Sequence, residues 1–450
     1  MLERKVYSEL MRWKALHSKC LVIKGQRQVG KTFIIEHFAR NEYESFVKLD
    51  FSVDESLADI FGVREVDEMV RRIELRTGRE VKPGATLIFL DEIQECPEAY
   101  SSLKPFSIDG RFDVIASGSM LGVDRKRRDG NGPDPLIPLG YEEVLVMRGL
   151  DFEEFLWASK VPKDMISEVR RSIASKQELD RFYLDRFRAL FREFMIVGGM
   201  PESVQAYVET KDFKRSDKVL DGLLSTCIRD INRYNSGEDI AKTAECFESI
   251  PSQLAESNKR FMYSRIQGDR IRKASDRYMG NLLWIRQAGY GNFCYLLRKP
   301  EAPLMANIVR DQFKVYLSDT GMLVHMYGAR VADAIYSGDS RINLGAVAEN
   351  AVAECLMKSG FPPCYYSKKS NPGMMEIDFV IETSKEVVAF EVKSGKDRSA
   401  PSLRKLPKHF NVGRRVMLED SGVHVDEDGV EHYPIFAAAF VRDILGEDES

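Results

Sequence analysis

The 450-residue chain is 44% hydrophobic and 30% charged with a formal net charge of −4, an ordinary globular composition with room for about three cores and no global reason to expect a polyanionic partner. Its seven cysteines never form a C-x-x-C pair, which argues against a zinc site and a disulfide framework and suits a reducing cytosol. The amino terminus MLERKVYSELMRW has no apolar signal core and no apolar run is long enough to span a bilayer, so a cytoplasmic protein without a membrane segment is expected.

CLVIKGQRQVGKTFIIEHFAR (20–40) reads as a strand, a loop and an amphipathic helix. Its loop, Gly25, Gln26, Arg27, Gln28, Val29, Gly30, Lys31 and Thr32, matches G-x-x-x-x-G-K-[ST] at every position. The glycines let the backbone wrap a phosphate, and the helix start turns free N–H groups toward it. Lys31 is placed for the β- and γ-phosphates, the Thr32 hydroxyl for Mg²⁺, and Arg27 for a further phosphate contact.

TLIFLDEIQ (86–94) is a continuous apolar strand ending in two acids. Asp91 is placed to hold Mg²⁺ through water and Glu92 to polarise the attacking water. FDVIASGS (112–119) ends in Ser117 and Ser119, which either sense the γ-phosphate or only terminate the strand. Strands with polar carboxyl ends suit ligand binding by an open α/β sheet. Without an N-K-x-D guanine signature, ATP is expected rather than GTP. The basic run Arg125, Lys126, Arg127 and Arg128 reads as solvated surface more readily than as an arginine finger.

From 163 to 235 the pattern is helical: Leu179, Phe182 and Tyr183, Phe187, Leu190 and Phe191, and Phe194 recur at spacings of three and four until GGMPE (198–202) stops the helix. Residues 259–277 hold seven basic side chains (Lys259, Arg260, Arg265, Arg270, Arg272, Lys273, Arg277) against Asp269 and Asp276. With AGYG, NFCYLLRK and PEAP behind them, they suggest either a winged-helix-like module on a nucleic-acid backbone or a packing domain with a solvated charged face.

LGAVAENAVAECLMKSG (344–360) is a helix with an apolar face of Leu344, Val347, Ala348, Ala351, Val352 and Cys355, and Glu349 at its edge. MEIDFVIETSKEVVAFEVKSGK (375–396) reads as two strands interrupted by charges. Pairing DFVIE with VVAFEVK sets Glu382 beside Val387 and Asp378 opposite Glu391. Facing Cβ atoms lie about 5 Å apart, so like charges there repel. A divalent cation between them reverses that sign. Lys393, two residues past Glu391, projects from the same face. Residues 393–415 add eight basic side chains (Lys393, Lys396, Arg398, Arg404, Lys405, Lys408, Arg414, Arg415) against Asp397, a patch suited to a phosphate backbone. The last stretch, 419–450, has ten acids and one Arg and reads as a solvated end, or as a mask for that patch.

The order E…D…E-x-K, helix then hairpin, resembles the PD-(D/E)xK nuclease superfamily with its restriction-endonuclease-like fold, although Ile377 rather than Pro precedes Asp378. That resemblance implies Mg²⁺ on Glu349, Asp378 and Glu391, with Lys393 orienting or activating water. More broadly, GQRQVGKT, LIFLDEIQECPEAY, IASGSMLG, FEEFL, GGMPESV, YLSDTGML, LGAVAENAVAECL and EIDFVI…FEVKSG cover most of 20–396 in order. They resemble a prokaryotic family of AAA-type P-loop ATPases joined to a C-terminal domain of unknown function. The resemblance implies an ASCE-type ATPase core, a winged-helix-like middle and a nuclease-like end.

The expected α/β architecture is therefore a P-loop ATPase domain (1–160), a helical lid or connector (161–235), a winged-helix-like module (236–335) and a restriction-endonuclease-like domain (336–450). ATP and Mg²⁺ are the expected cofactors, Lys31, Glu92, Glu391 and Lys393 the catalytic candidates, and DNA the expected partner of an oligomer-capable chain. The competing expectation is a regulatory ATPase whose C-terminal domain only binds nucleic acid or a protein.

Overall fold

The computed structural model describes residues 2–16, 19–118, 140–235, 237–267, 274–339, 341–368, 374–395 and 399–447, with the side chains of 267 and 274–277 left aside. The chain divides into two compact units, Arg4–Arg148, and Gly149–Ser450 with Met1–Glu3.

The unit Arg4–Arg148 is built on five parallel strands, β1 (Cys20–Lys24), β2 (Ser45–Asp50), β3 (Thr86–Asp91), β4 (Val114–Gly118) and β5 (Glu142–Val146), in the order β2-β3-β4-β1-β5. The sequences of β1, β3 and β4 are near-continuous apolar runs, as strands covered on both faces require. Leu103 and Phe106 of the helix Pro97–Asp109 join Val22, Ile88, Leu90 and Ala116 in one core. The expected strand, loop and helix of 20–40 are found, with the helix at Lys31–Glu42. Ser119 and the basic run Arg125–Arg128 lie outside the described residues.

In the second unit, helices Lys163–Ala174, Arg181–Val197, Pro201–Thr210 and Phe213–Tyr234 fill the expected helical stretch. Gly198 stops one of them at a positive φ of 75°, and Pro201 opens the next, where its missing N–H costs nothing. Eight strands follow in one sheet: β6 (Gly291–Leu297), β7 (Ile308–Leu317), β8 (Cys364–Lys368), β9 (Met375–Glu382), β10 (Val387–Lys393), β11 (Arg414–Glu419), β12 (His424–Val425) and β13 (Glu431–Pro434). Their order is β12-β13-β11-β10-β9-β8-β6-β7.

This topology changes two expectations. The ribbon expected in a winged-helix-like module is β6 paired antiparallel with β7, but β6 also pairs in parallel with β8, Tyr295 opposite Cys364. The boundary expected at 335/336 thus runs through a continuous sheet. The acidic end is not a solvated tail: Tyr433, Phe436, Ala437, Val441 and Ile444 are buried, and β13 pairs in parallel with β11. Apolar residues between its acids supply the core contacts that the charge count hid.

Among the described residues no helix is long and apolar enough to cross a membrane. All seven cysteines are buried and none forms a disulfide.

Candidate nucleotide site and a carboxylate cluster

The phosphate loop joins β1 to the helix Lys31–Glu42. Gly30 takes φ 89° and Gln28 φ 64°, the left-handed region that lets the loop coil tightly. A Cβ on Gly25 would overlap the carbonyl oxygen of Met147, the residue that follows β5, so only glycine fits there. Lys31 Nζ donates to the Gly25 and Gln26 carbonyls at 2.9 Å each, which holds its ammonium inside the loop. Arg4 ties the buried Val29 of the loop to the end of the unit, donating to the Val29 carbonyl at 3.2 Å and the Arg148 carbonyl at 2.7 Å. Arg27 and Gln26 remain in the loop beside them.

Asp91 ends β3 almost fully buried. Thr32 Oγ1 lies 3.1 Å from both of its carboxylate oxygens, the side-by-side placement a Mg²⁺–phosphate site needs. Ser117, fully buried at the end of β4, donates to Asp91 Oδ1; its hydroxyl is thus committed to the acid. Glu92 leaves the strand in left-handed backbone at φ 53° and accepts from the Gln94 amide. The glycine cradle and the Thr32–Asp91 pair together fit a Mg²⁺–nucleotide.

One neighbour was missed. Lys48 of β2 lies 2.9 Å from Asp91 Oδ2 and 3.2 Å from Glu36 Oε1 of the helix Lys31–Glu42. Burial pushes its ammonium down, but Asp91 and then Glu36 outweigh this and hold it above the usual lysine range. The available signal was a lysine inside the short strand SFVKLD, beside the strand that carries Asp91.

In the second unit, β9 and β10 take the expected register, Glu382 opposite Val387, down to Phe379 opposite Phe390. There the ladder gives way to a side chain: Asp378 Oδ2 accepts from the Val392 N–H at 2.9 Å. Lys393 Nζ lies 2.8 Å from Glu391 Oε1, while Glu391 Oε2 is buried with no hydrogen-bond partner among the described residues. The helix Gly345–Lys358 is buried on every side along 346–356 rather than on one face. Its Glu349 accepts from Tyr316 at 3.1 Å and from Lys259, and lies 3.8 Å from Lys314.

Burial first, then the Glu349 and Glu391 charges, raise the Asp378 carboxyl well above the usual range. The expected acids are therefore electrostatic neighbours. Burial also raises Glu391, against the pull of Lys393. Lys314 is 1% exposed; burial pushes it down, but Glu349 and Asp378 hold it charged. Lys314 and Tyr316 were missed because QFKVYL looks like any strand with a single outward-facing lysine. Among the described residues no group of three or more His, Cys, Asp or Glu is set closely enough to hold a metal ion. The Glu391 oxygen without a partner among the described residues and the crowded Asp378 carboxyl are the features that a divalent cation would relieve.

Residues 17–156 match the family model described as an AAA domain. The amino-terminal unit is an AAA-type P-loop ATPase domain. Residues 188–333 and 344–435 match two models, each described as a domain of unknown function (DUF8612 and DUF4143). The second match extends past 420 into the acidic end. No curated protein sequence matches the chain.

Among solved structures, a Walker-type ATPase of Pyrococcus abyssi is 13% identical, with a TM-score of 0.43 over 73% of this chain and 96% of that one. A signal-transduction ATPase from Pyrococcus horikoshii with a tetratricopeptide repeat sensor is 14% identical, with a TM-score of 0.25 over 80% and 49%. The Thermotoga maritima RuvB Holliday junction branch migration motor is 14% identical, with a TM-score of 0.29 over 64% and 89%. Scores this low decide nothing about the present chain.

Outside the ATPase domain, three of the quoted motifs meet in one buried network. Asp319 of YLSDTGML accepts from the Gly199 N–H of GGMPESV at 2.7 Å. Glu354 of the helix Gly345–Lys358 accepts from the Thr320 N–H at 2.8 Å and pairs with the buried Lys358. Lys358 also donates to the Leu150 carbonyl at 2.6 Å. Asn350 bridges both backbone groups of Leu317.

Some of the residues in the basic stretches are already paired with acids. Arg265 pairs with Glu256 at 2.6 Å and Lys259 with Glu349. Arg404 meets Asp428 at 2.8 Å and Asp426 at 3.3 Å, and Arg414 meets Glu431. The acidic end thus neutralises part of the patch in 393–415. Arg270, Arg272, Lys273, Lys396 and Arg398 lie outside the described residues, as does the side chain of Arg277.

Proposed function

We propose that this chain is a cytosolic ATPase whose nucleotide cycle controls a Mg²⁺-dependent phosphodiesterase site, formed by Glu349, Asp378, Glu391 and Lys393 and acting on DNA. The observation that carries the reading is the buried Glu391 Oε2, without a partner among the described residues, beside an Asp378 carboxyl crowded by two other acids. Such a cluster is costly in a core by itself. When bound, a divalent cation supplies a Lewis acid for the phosphodiester and its attacking water. The chain's own groups do the rest. The Val392 N–H and Tyr316 hydroxyl orient Asp378 and Glu349, while Lys393 holds a proton-bearing ammonium against Glu391.

Burial pushes the Lys314 ammonium down, but Glu349 and Asp378 outweigh this and hold it above the usual lysine range, a positive charge suited to an anionic substrate. DNA contacts fall to those basic residues not already paired with acids. Cleavage of single-stranded, duplex and branched DNA in Mn²⁺, with melting curves, tests the proposal. The parent should cleave and be stabilised by Mn²⁺; Asp378→Ala should do neither.

A second reading, a regulatory ATPase whose C-terminal region only binds a partner, is favoured by the lysines. Lys259 and Lys314 already meet Glu349, Lys393 meets Glu391, and the Lys314 charge pulls against the rise of the Asp378 carboxyl, all without a metal. Mn²⁺-insensitive melting together with no cleavage selects this second reading.

A further inference from the structure

We propose that Lys48 is a positioning residue of the ATPase site: an internal counter-ion of Asp91 that must transfer to Glu36 when Mg²⁺–ATP binds, and so sets the Mg²⁺ requirement. The argument starts from how Asp91 is occupied. Ser117 donates to its Oδ1, the single Thr32 hydroxyl hydrogen is shared between Oδ1 and Oδ2, and Lys48 Nζ lies 2.9 Å from Oδ2. Little lone-pair capacity remains on a carboxylate with about four acceptor sites. A hydrated Mg²⁺ held by Asp91 needs that capacity for its water ligands, and its two charges repel an ammonium at the same oxygen.

Lys48 has somewhere to go. Glu36 Oε1 is already 3.2 Å from its Nζ, and Asp50 Oδ2 is 3.8 Å away. Glu36 stands one helical turn beyond Thr32 on the helix Lys31–Glu42, so the acceptor is carried by the element that holds the Mg²⁺-ligating hydroxyl. A lysine stem is flexible enough to shift between the two acids without moving the strand. Lys48 is only partly exposed (27% of its side chain), so water does not screen it from Asp91 as it would a surface pair.

The test titrates Mg²⁺ against binding of a fluorescent N-methylanthraniloyl-labelled, non-hydrolysable ATP analogue, a readout independent of turnover. Lys48→Met should lower the half-saturating Mg²⁺ concentration by about tenfold, within the usual range for coupled ligands. Lys48→Arg, which keeps the charge, should stay near the parent value. Glu36→Gln should raise the requirement, and that rise should vanish in a Lys48→Met background, because Glu36 acts through Lys48. Without nucleotide, Lys48→Met should melt below the parent, and Mg²⁺–ADP should close the gap. Lys48→Met requiring as much Mg²⁺ as the parent, or more, overturns the proposal. So does a Glu36→Gln effect that persists in the double variant. If Lys48→Met does not fold, a Glu36→Gln requirement no higher than the parent's overturns it instead.

Discussion

Asp378 turns its carboxylate onto the Val392 N–H at 2.9 Å, at the point where the ladder between β9 and β10 stops. The side chain replaces a backbone carbonyl as the acceptor, so the strands part without leaving that donor unsatisfied. The parting leaves Asp378 close to Glu349 and Glu391. A charged site inside a sheet is thereby made compatible with the sheet's hydrogen bonding.

Neutralising one acid should therefore stabilise the metal-free protein. Asp378→Asn keeps an acceptor for Val392 and can never add a negative charge to the cluster. We expect a gain of about 2–4 °C in Tm, which is what roughly 1 kcal/mol does in a domain of this size. Added Mn²⁺ should raise the melting temperature of the parent but not of this variant. A lower Tm for Asp378→Asn in chelator would contradict the repulsion described here.

In the ATPase domain, Lys31→Ala should lose nucleotide binding as well as hydrolysis, because its ammonium is already positioned within the loop. Glu92→Gln should bind ATP while turnover drops by about a hundredfold or more, the scale of a lost general base. Equilibrium binding and phosphate release measured on the same preparations separate the two effects.

These sites were unequally legible. The phosphate loop and β3 could be read because a fixed spacing and a continuous apolar run each point to one local geometry. The β9–β10 register could be read because the turn fixes it. Lys48 and Lys314 could not, since a lone lysine in a strand does not reveal which acid from a distant segment meets it. The place of β6 was also hidden: its partner β8 pairs in parallel, Tyr295 with Cys364, and nothing local encodes a pairing of that span. The acidic end was misjudged because counting charges ignored Tyr433 and Phe436 between them.

Glu431 gives a pH test of that end. Burial pushes its carboxyl up, but Arg414 and then Lys176 outweigh this and hold it below the usual range. A lowered folded-state value means that the unfolded chain binds protons first. The pair's stabilisation is therefore full above the ordinary Glu range near pH 4.3 and lost as pH falls through the lowered value. Glu431→Gln should cost about 3 kcal/mol at pH 7, since it leaves Arg414 uncompensated. Urea melts should show that difference shrinking in acid.

The GGMP turn should tolerate no side chain. A Cβ on Gly199 would overlap the Leu150 carbonyl oxygen, and one on Gly198, at φ 75°, would overlap Asp319. Either alanine substitution should cost about 3 kcal/mol or more, with backbone strain added at Gly198. Lys358→Met should cost a similar amount by leaving Glu354 buried without its counter-charge. Denaturant midpoints that match the parent would show that the turn can relax.

The eight-stranded sheet carries a consequence for modularity. Its β6 and β7 fall in the match over 188–333, and β8 to β13 in the match over 344–435, yet they form one hydrogen-bonded surface. Cutting the gene at that seam would expose β8 along its whole edge, and would part Lys314 and Tyr316 from the acid they hold. The two stretches are interlocked pieces, so a recombinant that inherits one without the other receives neither the full eight-stranded sheet nor the Glu349 contacts of Lys314 and Tyr316.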